Sequence, residues 1–221
     1  MDAASSFRIP MLTFYPADCK INQIYKLLTG IVVPRPVALV STMSRDGAAN
    51  LAPFSAFCQS GANPPAVLFC PALRDPVGVE ADLDPDLRKD TLRNIEETGE
   101  FVVNTVSEAI AAAANASAAE VPPGVDEFVL AGLTPLASEA VRPPRVAESP
   151  AQMECKLLQV VYIGRRPGAG VIVVGEVVRF HVREDLVEDF RIDPSGLDAV
   201  GRMAGNTWVR TRDRIELIRP K

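Results

Sequence analysis

One histidine, His181, stands in a chain of 221 residues, and there is one tryptophan and four cysteines. The scarcity of histidine excludes a multi-histidine iron or copper centre, and any zinc site would have to rest on scattered cysteines and carboxylates. A Ser-His-Asp triad would have to recruit His181, which lies in the strand-like stretch Val177–Val182; a strand residue with its hydrogen bonds met is the plainer reading. Cys19, Cys58, Cys70 and Cys155 form no C-x-x-C pair, so all four are expected to be reduced, small and mostly buried. No basic stripe with interleaved aromatics appears and the net charge is -5, against a nucleic-acid partner. No apolar run approaches the roughly 20 residues that span a bilayer. The first twenty residues lack the charged start and apolar core of a secretory signal. These absences predict a soluble, cytoplasmic protein with no metal, whose cofactor, if it has one, is organic.

What the chain does have is 48% hydrophobic residues, enough for a substantial core. No internal repeat and no long linker divide it, so 1–221 is expected to be one domain, with a core over about 25–182 and an extension over 183–221. A helix is predicted over Gln23–Thr29, capped by Asn22 and ended by Gly30. Strands follow at Ala38–Thr42, Leu51–Phe57 and Ala66–Cys70, the first two joined by the Arg45-Asp46-Gly47 turn. Residues 71–88 form a loop rich in Pro and Asp (Asp75, Glu80, Asp82, Asp84, Asp86). Asp90 then caps a helix over Thr91–Thr98, which Gly99 stops. Phe101–Val106 reads as a strand, Ser107 caps an alanine-rich helix to Ser117, and Val121–Gly124 breaks the chain before a helical turn at Asp126–Ala131. Long strands at Gln152–Ile163 and Val171–Arg183 flank a hairpin loop at Gly164–Gly170. A turn at Asp193–Gly196 and a short strand at Arg214–Ile218 complete the reading. The sum is a mainly β fold with helical insertions, six or seven strands in a closed or nearly closed antiparallel barrel.

The anomaly lies between Asn50 and Phe57. Pro53 deletes a ladder donor in mid-segment, and Asn50 and Ser55 set polar groups beside Leu51, Phe54 and Phe57. Such a segment leaves backbone amides and small polar side chains facing something other than a neighbouring strand. The glycine-rich loop Gly164–Gly170 lacks the Gly-Lys-Ser/Thr ending of a P-loop and runs into a strand, so it reads as a hairpin. The chain also lacks a Rossmann strand–glycine loop–helix unit. At Lys89-Asp90-Thr91 a helix N-terminus, an ammonium and a hydroxyl form a corner that suits a phosphate monoester, although an ordinary helix start with a solvated lysine is the plainer reading of these residues alone. Arg35, stiffened by Pro34 and Pro36, fits either an ion pair or a phosphate ligand.

In order and spacing, VPRPVALVSTMSRDGAANLAPFSAF, KDTLRNIEETGEFVVN, GVDEFVLAGLTP and VVGEVVRFHV resemble the flavin reductase-like family of FMN-binding split β-barrels, in its flavoredoxin-like branch. The likeness covers about Tyr25–Val182; NLAPFS and KDTLRNI are its specific parts. It implies a homodimer of split barrels with FMN near the subunit interface. Ser41, Thr42, Asn50, Leu51, Ala52, Pro53 and Ser55 would line the flavin, and Lys89, Asp90 and Thr91 would hold its phosphate or ribityl end. The implied activity is NAD(P)H:flavin reduction, which needs no protein base because the flavin carries the reactivity; a partner monooxygenase would use the reduced flavin. One departure stands out. The Gly-Asp-His triplet of a well-known NADH:flavin reductase branch is replaced by Gly201-Arg202-Met203-Ala204-Gly205-Asn206-Thr207-Trp208, which puts direct nicotinamide use in question. Trp208 can stack on a ring from a partner subunit or serve as a buried interface aromatic. The alternatives are an FMN electron-transfer protein reduced by a redox protein, for which residues 71–88 would lid the flavin or dock the partner, and a split-barrel binding protein without catalysis.

Overall fold

A computed structural model describes residues 9–75, 87–119, 121 and 125–220. Seven antiparallel strands form the main sheet. They are β2 (Ala38–Met43), β3 (Ala49–Phe54), β4 (Phe57–Ala62), β5 (Pro65–Phe69), β6 (Glu100–Thr105), β9 (Ala151–Tyr162) and β10 (Val171–Val182), in the order β3-β2-β6-β9-β10-β5-β4. The two edge strands, β3 and β4, are consecutive in sequence and meet at the Ser55–Ala56 bend. The sheet must therefore curl until its ends approach, yet no ladder joins them. Ring contact across the gap shows the closure: Phe54 on β3 lies 4.8 Å from Phe69 on β5, and Phe69 meets Phe101 edge-on at 5.6 Å. This is a barrel split along one seam.

Two clusters flank the sheet. Inside lie Ala38, Val40, Phe69, Phe101, Val103, Val173 and Val177, with Leu92 and Ile95 of helix α2 (Asp90–Thr98) closing the barrel. Outside, Leu39, Leu51, Val106, Ile110, Phe128 and Val146 pack under α3 (Ala111–Ala116) and α4 (Glu127–Ala131). Strand β2 is thus buried on both faces, which is why Val37–Val40 is apolar without alternation. Gly175 sits at a β-bulge on β10, where a Cβ would come within 2.3 Å of the Phe101 ring; the core needs the missing side chain.

Several expectations need correction. The segment Leu51–Phe57 does not break at Pro53: β3 pairs in regular register with β2 as far as Phe54, Leu39 opposite Pro53, the interruption falls at the Ser55–Ala56 bend, and beyond it β4 is a strand the sequence did not announce. Helix α1 runs over Ile21–Ile31, starts at Lys20 and carries Gly30 within it; the Gln23 side chain accepts the Lys20 amide at 2.8 Å. The N-cap of α2 is Lys89, and Asp90 lies inside the helix with its carboxylate on Arg93 (2.6 Å) and Arg74 (3.5 Å). Gly99 does end α2, at φ 72°. After Ser107 a 3-10 turn over Glu108–Ile110 precedes the short α3. Asp193 caps a four-residue helix, α5 (Pro194–Leu197), rather than a bare turn.

Arg214–Ile218 is not a strand; Ile215, Leu217 and Ile218 are exposed and find no ladder. The extension instead forms the hairpins β11 (Val187–Glu188)–β12 (Arg191–Ile192) and β13 (Val200–Arg202)–β14 (Trp208–Arg210). Strand β13 pairs back onto β1 (Arg35–Pro36). Short β7 (Pro135–Leu136) and β8 (Arg145–Val146) complete the count. Most of the acidic stretch of loop 71–88 lies outside the described residues, as do residues 122–124 of the predicted chain break.

Candidate functional site

Backbone alternation on β3 explains Pro53. Asn50, Ala52 and Phe54 turn their amides toward β2, while residues 51 and 53 turn theirs outward. The Leu51 amide leaves the sheet and donates to Glu127 Oε2 on α4 at 3.3 Å. Pro53, two residues on, lacks a donor on that same outward side, where no ladder needs one. Between Asn50 and Phe54 the open edge therefore offers a single N–H, already engaged, together with outward carbonyls.

Side chains divide by face. Thr42, Asn50 and Ala52 point toward the barrel interior, with α2 beside them; Ser41, Leu51 and Pro53 point to the outer cluster. On the inner side Asn94 Nδ2 donates to Thr42 Oγ1 at 3.0 Å, Thr42 Oγ1 to Asn50 Oδ1 at 3.3 Å, and Thr91 Oγ1 to the same Asn50 oxygen at 2.8 Å. Three of the predicted residues thus form one network at the start of α2. Lys89 is exposed beside it, and as the N-cap it makes no side-chain bond. The first-turn amides of Asp90, Thr91 and Leu92 have no intrahelical acceptor. These donors fit an anionic, oxygen-rich ligand.

Ser41 does not join them. Its hydroxyl donates to the Pro144 carbonyl, and Asn104 Nδ2 stands 3.4 Å away. Ser55, at the bend, lies 3.4 Å from Arg35 Nε. Arg35 itself is structural: it donates to the carbonyls of Thr29 (2.8 Å), Val32 (2.6 Å) and Met203 (3.1 Å), tying the end of α1 to the β13–β14 turn. Sequence reasoning missed Asn94 and Glu127. For Asn94 a signal existed, since Thr91, Leu92, Asn94 and Ile95 share the buried face of α2 and an amide among them must have a partner.

His181 is spent elsewhere. Its Nε2 lies 2.6 Å from Oε1 of Glu154, a fully buried carboxylate that also accepts the amides of Glu139 (2.9 Å), Ala140 (2.5 Å) and Val141 (3.2 Å). Burial alone would raise the Glu154 pKa, but these amides and His181 outweigh it and hold the carboxyl below its ordinary range. Of the four cysteines only Cys155 is buried and Cys58 is exposed, against the expectation of mostly buried thiols. Burial, and then the neighbouring Cys58, pushes Cys70 up, and burial with Glu154 pushes Cys155 up, so neither of these two is an activated nucleophile. Tyr162 is pushed up to about 12, by burial and by donating its hydroxyl to Glu96 at 2.5 Å. Trp208 is half-buried under Arg202, 5.1 Å from its ring, against the outer cluster. Among the described residues no group of three or more His, Cys, Asp or Glu is placed to hold a metal, and no helix is long and apolar enough to cross a membrane.

A curled antiparallel sheet split along one seam, with a polar network beside its free edge, defines a split-barrel protein. Residues 30–197 match the model of the flavin reductase like domain, and the chain belongs to that family. Its structure is similar to nitrilotriacetate monooxygenase component B from Bacillus cereus, with 39% identity, a TM-score of 0.85, and coverage of 95% of this chain and 100% of that one. The 2-nitrobenzoate 2-nitroreductase of Pseudomonas fluorescens is 30% identical with a TM-score of 0.82, over 95% of this chain and 96% of its own. A protein with a split barrel domain from Shewanella frigidimarina shares the fold at 22% identity and a TM-score of 0.78, over 95% and 100% of the two chains.

Proposed function

We propose that this protein binds FMN at the β3 edge and the start of α2, and acts as an NAD(P)H:flavin reductase. The observation that carries the reading is the Asn94–Thr42–Asn50–Thr91 network, which gathers polar groups from three elements beside an uncapped helix start. When bound, FMN would supply an acceptor for a hydride or for single electrons. The chain's own residues then bind and orient. Lys89 and the α2 amides hold the phosphate, Asn50 donates to a ligand oxygen, and Ala52 and Pro53 leave room for a flat ring at the outward carbonyls. No side chain is asked to move a proton, which accords with a lone histidine paired to Glu154.

A reductase of this kind supports a monooxygenase partner, a role suggested by the similarity to a monooxygenase component B. A homodimer is supported by α1, where Ile21, Tyr25, Leu28 and Val32 fall on one helical face and are each more than half exposed. We place the protein in the cytoplasm. One observation favours a second reading, electron transfer from a protein donor: the β13–β14 segment holds Arg202 stacked on Trp208 where one NADH-using branch carries a histidine. A visible spectrum of the purified protein, with NADH and NADPH oxidation followed on adding FMN, separates these readings. Bound flavin with turnover of either nucleotide is expected; flavin without turnover selects the electron-transfer reading, and a colourless protein that does not bind FMN refutes both.

A further inference from the structure

We propose that Asn94 is a positioning residue that fixes which end of the Asn50 amide faces the ligand. Its Nδ2 is a donor only, so the Thr42 oxygen 3.0 Å away must accept there. The single Thr42 proton is then free for Asn50 Oδ1 at 3.3 Å, and the Thr91 hydroxyl supplies a second proton at 2.8 Å. A carbonyl oxygen has two lone pairs, and both are now filled. What remains of Asn50 is its NH2 group, which bonds to no described residue and stands half-buried on the free edge strand. The site presents a fixed donor. It is matched to an acceptor oxygen, such as a ring carbonyl or a ribityl or phosphate oxygen, and mismatched to an N–H.

Asn94 governs this polarity from a distance. It is 6% exposed and separated from the ligand edge by Thr42 and Asn50. Replacing it with an acceptor-only group would draw the Thr42 proton to itself and leave two oxygens facing each other at Asn50. Turning the Asn50 amide over relieves that clash and points its carbonyl outward. The relay is a property of the chain alone; that the acceptor belongs to a flavin rests on the function proposed above.

Two measurements on Asn94→Asp test the two parts separately. In the ligand-free protein labelled with 15N-asparagine, the Asn50 side-chain amide should exchange freely with water in the wild type and become protected in Asn94→Asp. A protected Asn50 amide in the wild type, or no change in the variant, overturns the relay whether or not flavin binds. In an FMN titration, Asn94→Asp should weaken binding by about tenfold or more, the loss expected for one hydrogen bond turned into a repulsion. In an Asn50→Ala background the same substitution should change affinity by less than about twofold, because the residue through which it acts is gone. An equal loss in both backgrounds would make Asn94 merely structural and defeat the proposal. Thr42→Val, which keeps the volume and deletes the relay, guards against misfolding of the aspartate variant and should also weaken FMN binding. The relay signature without any FMN binding in the wild type would sink the flavin reading and leave the relay standing.

Discussion

Two polar clusters lie on opposite faces of β2, and they are built alike up to a point. On the outer face Ser41, Asn104, Gln152 and Glu154 form two rows across β2, β6 and β9 and stitch residues 139–149 onto the sheet. Asn104 donates to Leu39 O at 3.0 Å and accepts from Val146 N at 2.8 Å, Gln152 donates to the carbonyls of Val146 and Ser149, and Glu154 accepts three amides and His181. Bonds there run from sheet to loop and close on themselves. On the inner face Thr42, Asn50, Thr91 and Asn94 end in a donor with no protein partner among the described residues. A closed network fixes the fold, whereas one with a free terminal group at a free strand edge is available to a ligand. Polarity and burial alone do not separate the two; the accounting of donors and acceptors does.

The comparison can be broken most forcefully at Glu154. Glu154→Ala strands the loop amides and His181, and should cost about 3 kcal/mol or more of stability in chemical denaturation, with FMN affinity unchanged in whatever remains folded. Because the folded pKa of Glu154 is depressed, its contribution is present above the ordinary carboxylate value of about 4.5 and is lost as pH falls through the lower folded value. Denaturation midpoints should therefore drop on acidification below about pH 4.5, and drop less in Glu154→Gln. The inner face should respond the opposite way. Asn50→Ala is expected to weaken FMN binding by about tenfold while costing less than about 1 kcal/mol of stability. Lys89→Ala should weaken it by about fivefold, read by titration at low and high salt, with the loss shrinking as salt screens the phosphate. Glu127→Ala leaves the amide of the fully buried Leu51 without its acceptor and is expected to cost about 1 kcal/mol or more of stability, measured by thermal unfolding.

Much of the fold was legible in the sequence because its signals are local. Gly99 after an amphipathic stretch ends α2, and the long β9–β10 hairpin follows from two apolar runs around a glycine-rich turn. Legibility failed where a partner decides. Pro53 looked like a break because one strand does not tell which side of it is paired; on the outward side of an edge the missing donor costs nothing. Arg214–Ile218 alternates like a strand, but it joins no ladder, and Ile215, Leu217 and Ile218 stay exposed. At the site, Thr42, Asn50 and Thr91 were placed by resemblance, and the structure separates Ser41 from them because adjacent strand residues face opposite ways. Asn94 needed the three-dimensional neighbour that turns a buried amide into a relay.

Calorimetric titration of FMN into the wild type, Asn50→Ala and Glu154→Gln tests the contrast between the two faces most directly. Micromolar or tighter binding in the wild type, lost about tenfold in Asn50→Ala and retained in folded Glu154→Gln, is the predicted result. Equal affinities in wild type and Asn50→Ala, or a loss confined to the Glu154 variant, would contradict it.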